Sequence, residues 1–165
     1  MKMRMFVCGV LVAAGIVSSA GHGLAAKPVN AKKFDALATA ALAAMKQKAE
    51  ALNIQGVAVV SYADGDSIQS WSSKMAVVGR MTDPRASASG NNLLGIAYAK
   101  SAEMARTLKD SGTAGGAPMT GEFGWQGGVV LKTGSGYVIV AFSGGKSEDD
   151  VQVSKAGLEM MKKGL

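Results

Sequence analysis

The chain has 165 residues, a formal net charge of +6 and a hydrophobic fraction of 48%, with one cysteine and one histidine. Those two residues, Cys8 and His22, both lie in the N-terminal stretch, so the rest of the chain excludes catalytic triads, thiol chemistry and the usual zinc or haem ligands. Lysines are spread along the chain and aromatics are scarce at 5%, which argues for a solvated basic surface and against a nucleic-acid interface.

Met1 to Ala26 reads as a secretory signal. Lys2 and Arg4 form the positive region, Phe6 to Val17 an uncharged apolar run, and small residues follow up to Ala25 and Ala26. Cleavage is expected after Ala20, Ala25 or Ala26. The apolar run is shorter than the roughly 20 residues that a spanning helix needs, so no membrane span is expected in the mature chain. A periplasmic or secreted location follows. Without the leader, the 18 Lys and Arg fall to 16 against 12 Asp and Glu, leaving +4. Residues 27–165 are expected to fold as one domain.

After Pro28-Val29-Asn30, with Asn30 as an N-cap, Phe34, Leu37, Ala38, Ala41, Leu42, Met45, Ala49 and Leu52 recur at helical spacing. That helix should end near Asn53. Gly56 to Tyr62 is an apolar, β-branched run that suits a buried strand, Asp64-Gly65 signals a tight turn, and Ser67 to Val78 returns as one or two strands. Thr82 to Asn92 reads as loop. A second amphipathic helix is predicted over Leu93 to Lys109, its apolar stripe formed by Leu94, Ala97, Tyr98, Ala102, Ala105 and Leu108. Ser111 to Gly121 is glycine-rich and irregular. Trp125 to Lys132 and Tyr137 to Ser143 form a hairpin through Thr133-Gly134-Ser135-Gly136. Ser147 with Asp150 three residues on resembles a capping box, opening a helix that runs to about Lys163. Hairpins dominate this order, so the fold class is α+β with a largely antiparallel sheet and helices packed on it.

Among local motifs, Ser143-Gly144-Gly145-Lys146-Ser147 links a strand to a helix start, where backbone N–H groups can face an anion. A phosphate loop would also need a glycine where Val140 stands, and Glu148, Asp149 and Asp150 already complement the helix dipole. The structural reading, a tight turn, is preferred. Asp64-Gly65-Asp66-Ser67 lacks the further carboxylates of a calcium loop. Ser61, Ser143 and Ser147 have no histidine partner, and no motif supports Lys100 or Lys146 as a base, so no catalytic residue is assigned. Met81 is a core gap-filler or a soft ligand.

Six segments are read together: Gln55-Gly56-Val57-Ala58-Val59-Val60, Gly79-Arg80-Met81-Thr82-Asp83, Ile96 to Ala102, Gly127-Gly128-Val129-Val130, Ser143-Gly144-Gly145 with Glu148-Asp149-Asp150, and Lys155 to Leu158. In this order and spacing they resemble the GlcG/HbpS-like family of small haem-binding or haem-degrading domains. The resemblance implies a profilin-like α/β/α sandwich with a five-stranded sheet, often assembled into homo-oligomers, and binding of haem or a related tetrapyrrole as the cofactor or small-molecule ligand. It places the ligand site at Arg80, Met81, Tyr98, Lys100, Gly127, Gly128, Ser143, Gly144 and Gly145. Met81, Tyr98 and Tyr137 are the candidate iron ligands, with Arg80, Arg85 or Lys100 for the carboxylates. The chain departs from the family pattern at Ser61, at Val129-Val130 and in the last strand. Three functions compete: a tetrapyrrole-binding module, an enzyme acting on haem or a small organic acid, and an oligomeric interaction domain that has lost the family ligand.

Overall fold

The computed structural model describes residues 31–85 and 88–165; the expected leader and the Asn30 cap lie outside the described residues. The order is α1 (Ala31–Ala51), β1 (Gly56–Asp64), β2 (Ser72–Val78), β3 (Thr82–Asp83), β4 (Asn91–Asn92), α2 (Leu93–Thr107), β5 (Gly128–Lys132), β6 (Gly136–Ser143) and α3 (Ser147–Lys162). The fold is α+β. Four strands form an antiparallel sheet in the order β2-β1-β6-β5, and β3 pairs with β4 in a separate two-stranded ribbon.

The α1 stripe behaves as its periodicity predicts, burying Phe34, Ala38, Ala41, Leu42, Met45 and Ala49. The helix ends where Asn53 adopts a left-handed φ of 54°. Asn53 N–H then bonds Glu50 O and Ile54 N–H bonds Ala49 O, each at 3.0 Å, so the last carbonyls are satisfied by a Schellman-type closure. At the start of α2, the Asn92 side chain accepts the Gly95 N–H at 3.0 Å and serves as the N-cap.

Strands β1 and β6 are central and buried along almost their whole length, because helices cover both sides of the sheet. Ala58, Val60, Tyr62, Val138, Val140 and Phe142 pack with α1 and α3. The alternate residues Val57 and Val59 pack with Leu93 and Ala97, and Ile139 and Ala141 with Met104, all of α2. Among the described residues, no helix is long and apolar enough to cross a membrane.

Three expectations about local elements are corrected by the tertiary structure, while the main sheet has four strands among the described residues. Beside β5 runs the 110–112 segment. There Ser111 N–H bonds Gly128 O at 3.3 Å, Gly128 N–H bonds Ser111 Oγ at 2.9 Å, and Val130 N–H bonds Asp110 Oδ1 at 2.9 Å. Asp64-Gly65 is no two-residue turn, because the Gly65 N–H bonds Ser135 O at 2.8 Å and carries β1 on alongside β6. The buried side of α2 is rotated from the predicted stripe and holds Leu93, Ile96, Ala97, Lys100, Ser101, Glu103 and Met104, while Leu108 is exposed. Ser147 is the first helical residue of α3 and Lys146 its N-cap, with no side-chain capping bond; Asp150 turns inward instead of bonding the cap.

Candidate functional site

A cleft of about 140 Å³ opens where the start of α2, the end of β6 and the start of α3 converge. Its floor is an ion pair. Lys100 lies one helical turn beyond Ile96 on the buried side of α2, and its Nζ donates to Asp150 Oδ2 and to Phe142 O, both at 2.8 Å. Asp150 Oδ1 accepts the Gly145 N–H at 2.8 Å. Both side chains are about 3–4% exposed, so each charge has left water for the other. Burial pushes the Lys100 ammonium below its ordinary range, with Asp150 acting in the opposite sense. Burial likewise pushes the Asp150 carboxyl up, against Lys100 and the backbone N–H groups of Gly145 and Gly144.

The approach of Lys100 depends on Gly127. A β-carbon there would collide with Lys100 Nζ, and it would also crowd the Asp150 side chain and Phe142 O. Its carbonyl accepts the Ser154 hydroxyl at 2.6 Å, which ties the same glycine to α3. A side chain at Gly144 would strike the Gln55 carbonyl, so the strand-to-helix turn must be bare at this point too.

The rim is built differently. Trp125 lines the cleft and is 46% exposed, with Phe123 beside it at 44%, their ring centroids 4.9 Å apart. The loop carrying them is fastened to α2 by Arg106, which donates to both Glu122 oxygens at 2.7 and 2.8 Å. The Arg106 bond, helped by the Met119 N–H, holds the Glu122 carboxyl below its ordinary range. On the opposite side, Asp83 and Asn91 of the β3–β4 ribbon line the cleft. Arg80 Nη2 lies 2.6 Å from Asp83 Oδ2, and its Nε is buried without a hydrogen-bond partner among the described residues. Asp83 also accepts the Arg85 backbone N–H at 3.2 Å.

Of the residues singled out from sequence, Lys100, Ser143, Gly144 and Gly145 line one cleft and Gly127 lies directly beneath Lys100. Arg80 reaches the rim through Asp83. Met81 is 41% exposed beside the start of α2, where its carbonyl accepts the Leu93 N–H at 3.0 Å, but it does not line the cleft. The others are apart. Gly128 sits against Met104 and Ser111, Tyr98 OH lies 3.2 Å from Ser73 Oγ toward β2, and Tyr137 OH donates to Asp66 O at 3.3 Å. Asp150, Trp125, Gln126, Asp83 and Asn91 were not anticipated as cleft residues. A lone lysine inside the apolar run Ile96 to Ala102 was the available signal that a buried carboxylate waited elsewhere.

Chemically, the floor is occupied. Two of the three Lys100 donors and both Asp150 oxygens are engaged, so the pair acts as a clamp joining α2 to α3 past the end of β6. With Arg80 set against Asp83, the charges of the cleft balance in pairs. The cleft offers hydrogen-bonding groups and the Trp125 ring. A haem would exceed the cleft, since pockets that enclose ligands of that size hold about 300–1,000 Å³. The described residues contain no histidine or cysteine, and no cluster of three or more metal-binding side chains of the His, Cys, Asp and Glu set. These described residues do not fit an iron centre. Comparison with protein-family models, with curated proteins and with solved structures found no match to this chain.

Proposed function

We propose that this chain is an exported small-ligand-binding protein of the GlcG/HbpS-like type, with a profilin-like α/β/α architecture in which the 110–112 segment stands at the place of a fifth strand. Its ligand is haem or a related tetrapyrrole bound through its ring alone, with no protein ligand to an iron, one face of the macrocycle lying on Trp125 and Phe123 and an edge directed into the cleft. The observation that carries this reading is the half-exposed Trp125 ring beside a polar, charge-balanced cleft. An aromatic pair left in water at a cleft mouth is surface that a flat apolar ligand would cover. Arg80 and Arg85, flanking the cleft residue Asp83, are the candidate cations for peripheral carboxylates. The mutual engagement of Lys100 and Asp150 favours binding over turnover, because neither is free to act as acid, base or nucleophile.

The test is a titration of the purified chain with hemin and, in parallel, with iron-free protoporphyrin, followed by tryptophan quenching and porphyrin absorbance. Saturable binding of both, weakened together by Trp125→Ala, is expected. No saturable change with either compound overturns the reading.

A further inference from the structure

The two edges of the main sheet are finished differently. The outward N–H groups of Gly128 and Val130 on β5 are capped by Ser111 and Asp110. At the opposite edge, β2 runs against β1 in unbroken register from Gly56↔Val78 to Tyr62↔Ser72, with no bulge and no proline. The direction of its backbone groups follows from the neighbouring strands. The Gly65 N–H to Ser135 O bond continues the β1–β6 register, so odd-numbered residues of β1 bond to β6 and even-numbered ones to β2. In β2, Ser72, Lys74, Ala76 and Val78 therefore face β1, and the N–H and C=O groups of Ser73, Met75 and Val77 point outward. None of those outward groups meets a hydrogen-bond partner among the described residues. An uncapped, regular edge of seven residues is a template for another strand.

We propose that this edge pairs with β2 of a second copy of the chain, antiparallel about a two-fold axis at Met75. That register sets Ser73 opposite Val77 of the other copy and Met75 opposite Met75, keeps all seven residues paired, and lets each copy donate three N–H groups and accept three. Its charges are compatible. Lys74 falls opposite Ala76, never opposite the second Lys74, and is already neutralised by Asp35 at 2.6 Å. A register one step shorter, centred on Lys74, would face the two lysines directly and is disfavoured. Val77, 39% exposed in the single chain, gains cover at the junction.

The experiment uses the mature chain, residues 27–165, in analytical ultracentrifugation over a concentration series, with amide hydrogen exchange read at Ser73, Met75 and Val77. Concentration-dependent dimerisation is expected, with protection of those three amides appearing as the dimer forms. Val77→Pro removes an outward N–H without touching the β1–β2 ladder, so it should keep the fold by circular dichroism and weaken dimerisation by about tenfold or more. Three results would overturn the proposal: a chain that stays monomeric throughout, a dimer unaffected by Val77→Pro, or protection that does not vary with concentration.

Discussion

Lys100 of α2 and Asp150 of α3 come from helices on opposite sides of the sheet, yet their charged groups meet at 2.8 Å past the end of β6. The pair closes the floor of the cleft and fastens the helices that form its walls. Two buried charges in this position constrain the fold more than they stabilise it. Each has lost its hydration, and their attraction returns that cost only while both are present.

Removing one partner should therefore be far worse than removing both. Lys100→Met or Asp150→Ala is expected to lower stability by about 3–5 kcal/mol, because a buried charge is left without its partner. The double variant Lys100→Met/Asp150→Leu should recover most of that loss. Urea denaturation of the three proteins measures the coupling, and simple additivity of the single losses would contradict it.

Gly127 offers a separate check on the same geometry. Gly127→Ala is expected to destabilise by about 2–3 kcal/mol or more, combining overpacking with a left-handed φ of 135°. Adding Lys100→Met should not rescue it, because the Asp150 side chain and Phe142 O still crowd the new methyl group. Thermal melting of the single and double variants decides the matter.

The aromatic rim should affect binding without affecting the fold. Trp125 is half-exposed, so Trp125→Ala is expected to cost less than about 1 kcal/mol in stability while weakening porphyrin binding about tenfold. A parallel loss of melting temperature and affinity would instead make Trp125 a packing residue.

Glu122 makes the loop at the cleft mouth sensitive to acid. Its carboxyl is held low by Arg106, so the stability it contributes is present above the ordinary glutamate range and is lost as the pH falls through its depressed folded value. NMR titration should find Glu122 below the ordinary range, and Arg106→Ala should move it upward. The same substitution should free the loop from α2, seen as faster amide exchange at Met119, whose N–H bonds Glu122 at 3.1 Å.

Much of the fold could be read along the chain. The α1 stripe, the apolar β1 and β6 runs and the final hairpin appear close to where their periodicities put them, because burial of side chains at fixed spacing is a local pattern. The face of α2 could not be read in that way. The predicted stripe followed Leu94, Ala97, Tyr98, Ala102, Ala105 and Leu108, of which Ala97 is buried, whereas the buried side also carries Lys100 and Glu103. Apolar periodicity misplaces a helix whose inward residues are charged. Glu103 is buried because its carboxylate accepts the Gly112 N–H at 2.8 Å, and that partner lies on a loop without regular pattern. The finish of the β5 edge was hidden for a related reason, because capping by Ser111 and Asp110 leaves no alternating run in the sequence to mark it.

By itself, the order of residues determined the helix and strand succession, the antiparallel class and the poverty of reactive side chains, since each follows from local spacing or from composition. Only the tertiary structure decided that Lys100 belongs to Asp150, that Tyr98 and Tyr137 face away from the glycine turn at Ser143–Gly145, and that Trp125 stands at its mouth. The Lys100–Asp150, Tyr98–Ser73 and Tyr137–Asp66 pairs join residues 25 to 71 positions apart, and no local period encodes a partner at such a distance. They are set by how the helices pack across the sheet and by the need of every buried charge to find its opposite.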